Sequence, residues 1–322
     1  MSALTPAQSS IAAFIARGEG DFDSLFAAAV AENHALGPPL RALGADPVPV
    51  QLFKELDLGP RPVLPTDIIF RTSGTTTQVR GSRRSRHTTL YDLGAVAHAR
   101  RCIPDLPRQV VSLCPGESDS SLGHMVGLLG AVECCFVAGG VAPDSWARLR
   151  AASRAGPVFL AATAFALDAL LALPGEAHLH PASVVMVTGG FKGRRVRLDA
   201  PGLYRAMPER LGNPRVVGEY GMTELSSQLW TDPVPCGSLP GAFLAPPWLR
   251  VRAADPLTGR PLAPAQEGLL QFWDLANAGG VLAIETQDLG RVLPSPTGDR
   301  VELRGRIEGS ELRGCSLSVE GA

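Results

Sequence analysis

The chain has 322 residues, is 45% hydrophobic and carries 30 basic against 31 acidic residues, so it can bury an extensive core and is neither a disordered tail nor a small stapled domain. A net charge of −1 lacks the dense basic footprint of a protein that coats nucleic acid, and no nucleic-acid partner is expected. Only Lys54 and Lys192 are lysines, which leaves two candidates for any chemistry that needs one.

The longest apolar stretch, 158–173, is interrupted by Asp168 and followed by Pro174; it falls short of the ~20 apolar residues that span a bilayer and reads as a buried helix. The N-terminal segment has no basic run ahead of its short apolar stretch, so no secretory signal is expected and the expected location is cytoplasmic. Six cysteines without CxxC spacing suit a reduced compartment. The histidines form no HExxH, and no protein-only metal cage is expected.

In chain order, apolar residues from Ile11 to Val30 recur near helical spacing and predict two short helices. A proline-rich stretch, DPVPVQLFKELDLGPRPVLPTD, then holds an extended path. Strands are predicted at 67–71, 110–113, 133–137, 158–161, 183–187 and 216–218, with helices at 90–101, 122–131, 145–154 and 164–173. That alternation implies a largely parallel sheet with both faces covered. From about Cys236 the texture changes to short β runs at 249–253, 268–274, 280–285 and 300–304, a β-rich subdomain.

Three clusters carry chemistry. Thr72-Ser73-Gly74-Thr75-Thr76-Thr77-Gln78-Val79-Arg80-Gly81 follows a strand and offers hydroxyls, backbone N–H groups and one fixed positive charge, a set that can surround phosphate oxygens. It is not a Walker loop, and by composition alone such a turn is more often an ordinary loop. Tyr220-Gly221-Met222-Thr223-Glu224 combines an aromatic face for a purine, a hydroxyl for a phosphate and a carboxylate for Mg2+; alone, it reads equally as a strand end with a core tyrosine. Thr286-Gln287-Asp288 is followed 18 residues after Asp288 by Arg306, and such a pair can hold a ribose.

In this order the three clusters resemble the acyl-adenylate-forming superfamily of acyl-CoA synthetases, luciferases and peptide-synthetase adenylation domains. The family's phosphate loop, TSGTTGxPKG, aligns without gaps to Thr72 through Gly81; YGMTE recurs at 220–224, a TxD motif at 286–288 and the arginine of a GR motif at Arg306. The resemblance implies that Thr72, Ser73, Gly74, Thr75, Thr76 and Arg80 hold the phosphates of ATP. It implies that Tyr220, with Gly221, meets adenine, Thr223 bonds the α-phosphate, Glu224 binds Mg2+, and Asp288 and Arg306 hold the ribose. Gly189 and Gly190 match the glycine pair beside the adenine and acyl pocket.

The expected fold follows: an α/β core of mixed and parallel sheets flanked by helices (67–235), a β-rich distorted-barrel subdomain (236–308), an N-terminal helical and lead-in segment (1–66) and a short tail (309–322). The superfamily's mobile C-terminal domain is expected to be absent or vestigial, because 16 residues follow Arg306 and none is lysine. Thr77, Val79, Arg80 and Gln287 depart from the family pattern, and Thr77 stiffens the loop if its position needs positive φ.

The ending also resembles the acyl-protein synthetases of bacterial bioluminescence, long-chain-fatty-acid protein ligases that carry a cysteine near the C-terminus. Cys315 is the matching thiol; Arg304, Arg306 and Arg313 are candidates to lower its pKa. Lys192 is the candidate cation for the α-phosphate or the substrate carboxylate, with a solvated surface lysine as its equal alternative, and Lys54 reads as a surface or docking residue. His124 is a candidate beside the acyl carboxylate; Met125, Leu128 and Leu129 line an acyl channel or simply the core. The resemblance implies ATP, Mg2+, a carboxylic acid and an acyl-CoA-reductase-type partner, and leaves oligomerisation open. Transfer to CoA or an amine, and a degenerate nucleotide-binding scaffold, are the alternatives.

Overall fold

The computed structural model describes residues 4–72, 80–137, 140–189 and 198–307. Contacts divide the chain into two compact units: one drawn from 1–98, 221–228 and 244–310, the other from 99–220, 229–243 and 311–322.

The first unit opens with the helices Pro6–Arg17 and Phe22–Asn33, both expected. Thr5 and Gln8 exchange a reciprocal capping box, Gly18 closes the first helix in the left-handed region at φ 77°, and Asp21 caps the second through Ser24 N–H. Ile11, Phe14, Ile15 and Phe22 pack on Leu90, Trp248, Leu275 and Leu282. Burying each such side chain contributes about 1.5–3 kcal/mol.

The β-rich part of this unit is an antiparallel ladder of Leu249–Ala254, Glu267–Asp274, Ala283–Leu293 and Arg300–Arg306. The lead-in strand Val48–Pro49 adds to it in parallel, with Val48 opposite Ile284. A strand expected over 280–285 begins only at Ala283, because Asn277 binds Val281 O through Nδ2 and receives Gly280 N–H at its own carbonyl, folding 277–281 into a turn. A separate hairpin joins Ile68–Arg71 to Ser82–Ser85.

The second unit is the expected α/β layer. Gln109–Ser112 runs parallel to Ala131–Cys134 on one side and to Val158–Thr163 on the other. Val184–Thr188 and Arg215–Tyr220 continue the parallel sheet, and Leu229–Thr231 pairs antiparallel with Arg215–Tyr220. Val158–Thr163 and Val184–Thr188 are buried almost throughout, which explains their unbroken apolar sequences. The helices Ser145–Ala155, Ala164–Ala172 and Ala200–Leu211 bury Leu149, Leu167, Leu170, Leu203 and Met207 on this sheet. The helix expected over 122–131 stops at Leu129, because Gly130 ends it and Ala131 N–H pairs with Arg108 O in the sheet.

Parallel strands align their carboxyl ends. Ser112, Cys134, Thr163, Thr188 and Tyr220 therefore finish along one edge, where sheets of this class place ligands. Among the described residues no helix is long and apolar enough to cross a membrane.

Candidate active site

The first candidate is the root of the Thr72–Gly81 loop. The Ile68–Arg71 and Ser82–Ser85 strands carry it as a hairpin connection, with Arg71 opposite Ser82. Thr72 closes the root twice: its N–H reaches Gly81 O at 2.9 Å, and its Oγ1 accepts Gly81 N–H at 2.9 Å. Arg80 turns back, donating from Nε to Thr72 O at 2.6 Å. Ser73, Gly74, Thr75 and Thr76 lie outside the described residues, as do Gly190, Lys192 and Cys315.

Asp288 and Arg306 meet as a register pair of the Ala283–Leu293 and Arg300–Arg306 strands. Arg306 donates from Nε to Asp288 Oδ1 at 2.9 Å and from Nη2 to Gln287 Oε1 at 3.3 Å. Their side chains are 14% and 11% exposed, so the pair is largely desolvated and its charge-assisted bond is stronger than a surface one. Thr286 sets the strand locally: Oγ1 donates to Leu270 O and accepts Asp288 N–H.

Thr223 and Glu224 belong to the same unit as that pair. Glu224 is 1% exposed, and the residues after it are clamped by a polar network that sequence reasoning did not find. Asp274 accepts from Ser226 N, Ser227 N, Ser227 Oγ and Ala276 N. Asn277 accepts Ser226 N–H and donates to Glu224 O. Arg83 donates from Nη1 to Ser226 Oγ at 2.9 Å and to Asn277 Oδ1 at 3.2 Å, with the rings of Phe70 and Tyr91 within 6 Å of its guanidinium carbon. Burial raises the Asp274 carboxyl above its ordinary pKa despite these donors, and burial lowers Arg83, with Asp274 and Glu224 opposing that shift.

In the second unit, Tyr220 ends its strand 1% exposed, tilted against Phe243 at 6.1 Å between ring centres. One residue before it, Glu219 is fully buried and accepts the Thr188 hydroxyl from the neighbouring strand, its register partner. Burial pushes the Glu219 carboxyl up to about 7, with the Thr188 hydrogen bond acting against that shift. Gly189 follows Thr188 at φ 71°, a left-handed conformation that explains a glycine at this strand end. His124 lies half-buried on the helix Ser121–Leu129, whose N-terminus is capped by Ser120, while Met125 and Leu129 are buried.

The described site residues thus fall into two sets. Thr72, Arg80, Gly221, Thr223, Glu224, Asp288 and Arg306 belong to the first unit, and His124, Gly189 and Tyr220 to the second. Within the first unit, the hydroxyls of Thr72 and Thr223, the guanidiniums of Arg80 and Arg306 and the carboxylates of Glu224 and Asp288 are of the kinds suited to phosphates and sugar hydroxyls. Among the described residues no three or more His, Cys, Asp or Glu side chains gather as a metal cage.

No protein-family model matches the chain. It is 35% identical over 81 residues to the long-chain-fatty-acid–luciferin-component ligase of Vibrio harveyi, a match covering 24% of this chain and 21% of that protein. The matched part is therefore about a fifth of the relative's length. The chain is also similar in structure to 2-hydroxyisobutyryl-CoA ligase in complex with 2-HIB-AMP (TM-score 0.61, 16% identity, 89% of this chain and 68% of that one). A second structural neighbour is ATP-bound MatB from Rhodopseudomonas palustris (TM-score 0.50, 20% identity, 74% and 47%). In fold the chain is of the acyl-adenylate-forming ligase type, and over about a quarter of its length its sequence resembles the luciferin-component ligases.

Proposed function

We propose that this chain binds Mg·ATP and activates a carboxylic acid as acyl-AMP. The observation that carries the reading is the Asp288–Arg306 pair, a desolvated carboxylate and guanidinium held across two strands, in a chain with the fold of ligases whose solved complexes hold ATP or an acyl-AMP. A substrate carboxylate oxygen attacks the α-phosphorus, the bond to the bridging oxygen breaks, and pyrophosphate leaves with its electron pair. The chain's part is positioning and charge neutralisation. Asp288 and Arg306 orient the ribose, Thr72 and Arg80 stand at the phosphate loop, Thr223 meets the α-phosphate and Tyr220 the adenine. The same reading gives the glycine pair 189–190 the place beside the base, His124 the acyl carboxylate, and Lys192 either the α-phosphate or that carboxylate.

Glu224 fits a magnesium site, because Mg2+ is commonly bound through one or two carboxylates plus phosphate oxygens, and Glu224 is a buried carboxylate in the YGMTE motif. When bound, the ion neutralises phosphate charge.

The finer reading adds a second step. The Cys315 thiolate attacks the acyl carbonyl, AMP departs, and the acyl group rests on the protein as a thioester for an acyl-CoA-reductase-type partner. The name of the Vibrio harveyi relative supports a fatty acid as the substrate. Incubation with ATP and a labelled acid, followed by a denaturing gel, tests both steps. Acyl-AMP together with protein-bound label that disappears in Cys315→Ser is expected. Acyl-AMP without protein label, converted to acyl-CoA on adding CoA, replaces the second step with CoA transfer, the reaction class of the 2-hydroxyisobutyryl-CoA neighbour.

A further inference from the structure

Two buried side chains, Asn277 and Arg83, join the main chain at Glu224 to the hairpin of Ile68–Arg71 and Ser82–Ser85. Asn277 ends the turn Leu275–Asn277 and is 6% exposed. Its amide has two N–H donors and an oxygen with two lone pairs, and all four are used. Nδ2 donates to Glu224 O at 3.0 Å and to Val281 O at 2.8 Å, while Oδ1 accepts Ser226 N–H at 2.9 Å and Arg83 Nη1 at 3.2 Å. The bonds to Glu224 O and Ser226 N–H grip the main chain on both sides of Leu225, so one side chain fixes the backbone direction at Glu224.

Arg83 comes from the other side of this junction, on the strand Ser82–Ser85. Its register partner Phe70 and the ring of Tyr91 lie 5.8 and 5.7 Å from its guanidinium carbon. Nη1 reaches Ser226 Oγ at 2.9 Å as well as Asn277 Oδ1. Only 9% of the residue is exposed. Taking a guanidinium out of water costs several kcal/mol, and an apolar side chain of similar volume commonly fills such a place with no loss of stability. Packing alone is therefore a poor reason for an arginine here. What the arginine adds is direction, because its planar fork holds a fixed geometry between the hairpin and the Glu224 segment.

Resting on the Mg·ATP reading above, we infer that Arg83 and Asn277 are positioning residues for the metal: together they hold the Glu224 backbone at a fixed place relative to the hairpin, and so pre-orient its carboxylate as a magnesium ligand. Both act through Glu224, and neither is assigned a contact with the nucleotide.

The experiment is a calorimetric titration of the full chain with ATP, once in excess Mg2+ and once in a chelator, and it reads the gain in affinity that Mg2+ brings. Wild type, Glu224→Gln, Arg83→Met, Arg83→Lys, Asn277→Asp and the double variant Arg83→Met/Glu224→Gln are compared, with thermal melts as the folding control. Arg83→Met and Asn277→Asp each cut the Mg2+ gain about 10- to 100-fold, the usual cost of removing a group that orients a metal ligand, and Arg83→Lys recovers part of it. Metal-free ATP affinity stays within about two-fold, and adding Arg83→Met to Glu224→Gln changes the gain by no more than about two-fold, because both act through one carboxylate. Equal weakening with and without Mg2+, or an unchanged gain, overturns the assignment while the nucleotide reading stands. A Glu224→Gln that gains as much from Mg2+ as wild type removes the magnesium reading and the assignment with it. A wild type that binds no ATP removes the nucleotide reading as well. Asn277→Asp carries the same comparison if Arg83→Met disturbs the fold.

Discussion

Arg306 donates to Asp288 across two antiparallel strands at 2.9 Å, where the two residues stand in register although they are 18 positions apart in sequence. The carboxylate is held in place by its partner and by the Thr286 hydroxyl on its own N–H, an arrangement that pre-orients an acceptor for sugar hydroxyls.

Replacing Asp288 with Ala removes that acceptor. ATP binding is expected to weaken about 10- to 100-fold. ATP lacking both ribose hydroxyls should bind wild type poorly and Asp288→Ala no worse than ATP does, so a double cycle by calorimetry isolates the ribose contribution.

Glu219 makes stability depend on pH with a definite sign. Its folded pKa, about 7, lies above its ordinary value of 4.5, so the folded state binds more protons than the unfolded one between those values. Its contribution is present below about pH 4.5 and is lost as pH rises through 7. Urea unfolding across this window should show Glu219→Gln losing less stability than wild type, by about 3 kcal/mol.

Asp274 receives four hydrogen bonds from the segment after Glu224 and from its own turn. Asp274→Ala leaves those donors buried without their acceptor and is expected to cost more than about 3 kcal/mol. Asp274→Asn, which keeps an acceptor oxygen, should cost less in the same denaturant titration.

Gly189 stands at φ 71°. Gly189→Ala should destabilise the chain by about 1–2 kcal/mol through the left-handed backbone alone, measurable as a lower melting temperature. The acyl-adenylate reading adds a rise in the KM for ATP.

Much of this was legible in the sequence where the signal is local. Unbroken apolar runs such as 158–161 and 184–187 announced strands covered on both faces, and the helices between them announced parallel pairing. The order of the phosphate loop, YGMTE and TxD with its later arginine led to the ligase fold. What escaped depends on residues distant in sequence. Arg83 is buried against Ser226 and Asn277, and no periodicity marks that pairing. Thr188 and Glu219 meet because two parallel strands share a register.

The central claim is adenylation. Exchange of labelled pyrophosphate into ATP, measured with a panel of short, long and aromatic carboxylic acids, tests it most directly, because exchange requires a reversible attack of the carboxylate on the α-phosphorus. The account predicts acid-dependent exchange that falls more than about ten-fold in Asp288→Ala, consistent with a lost charged hydrogen bond. Background exchange with every acid, from a protein that still binds ATP, would contradict it and leave a nucleotide-binding scaffold.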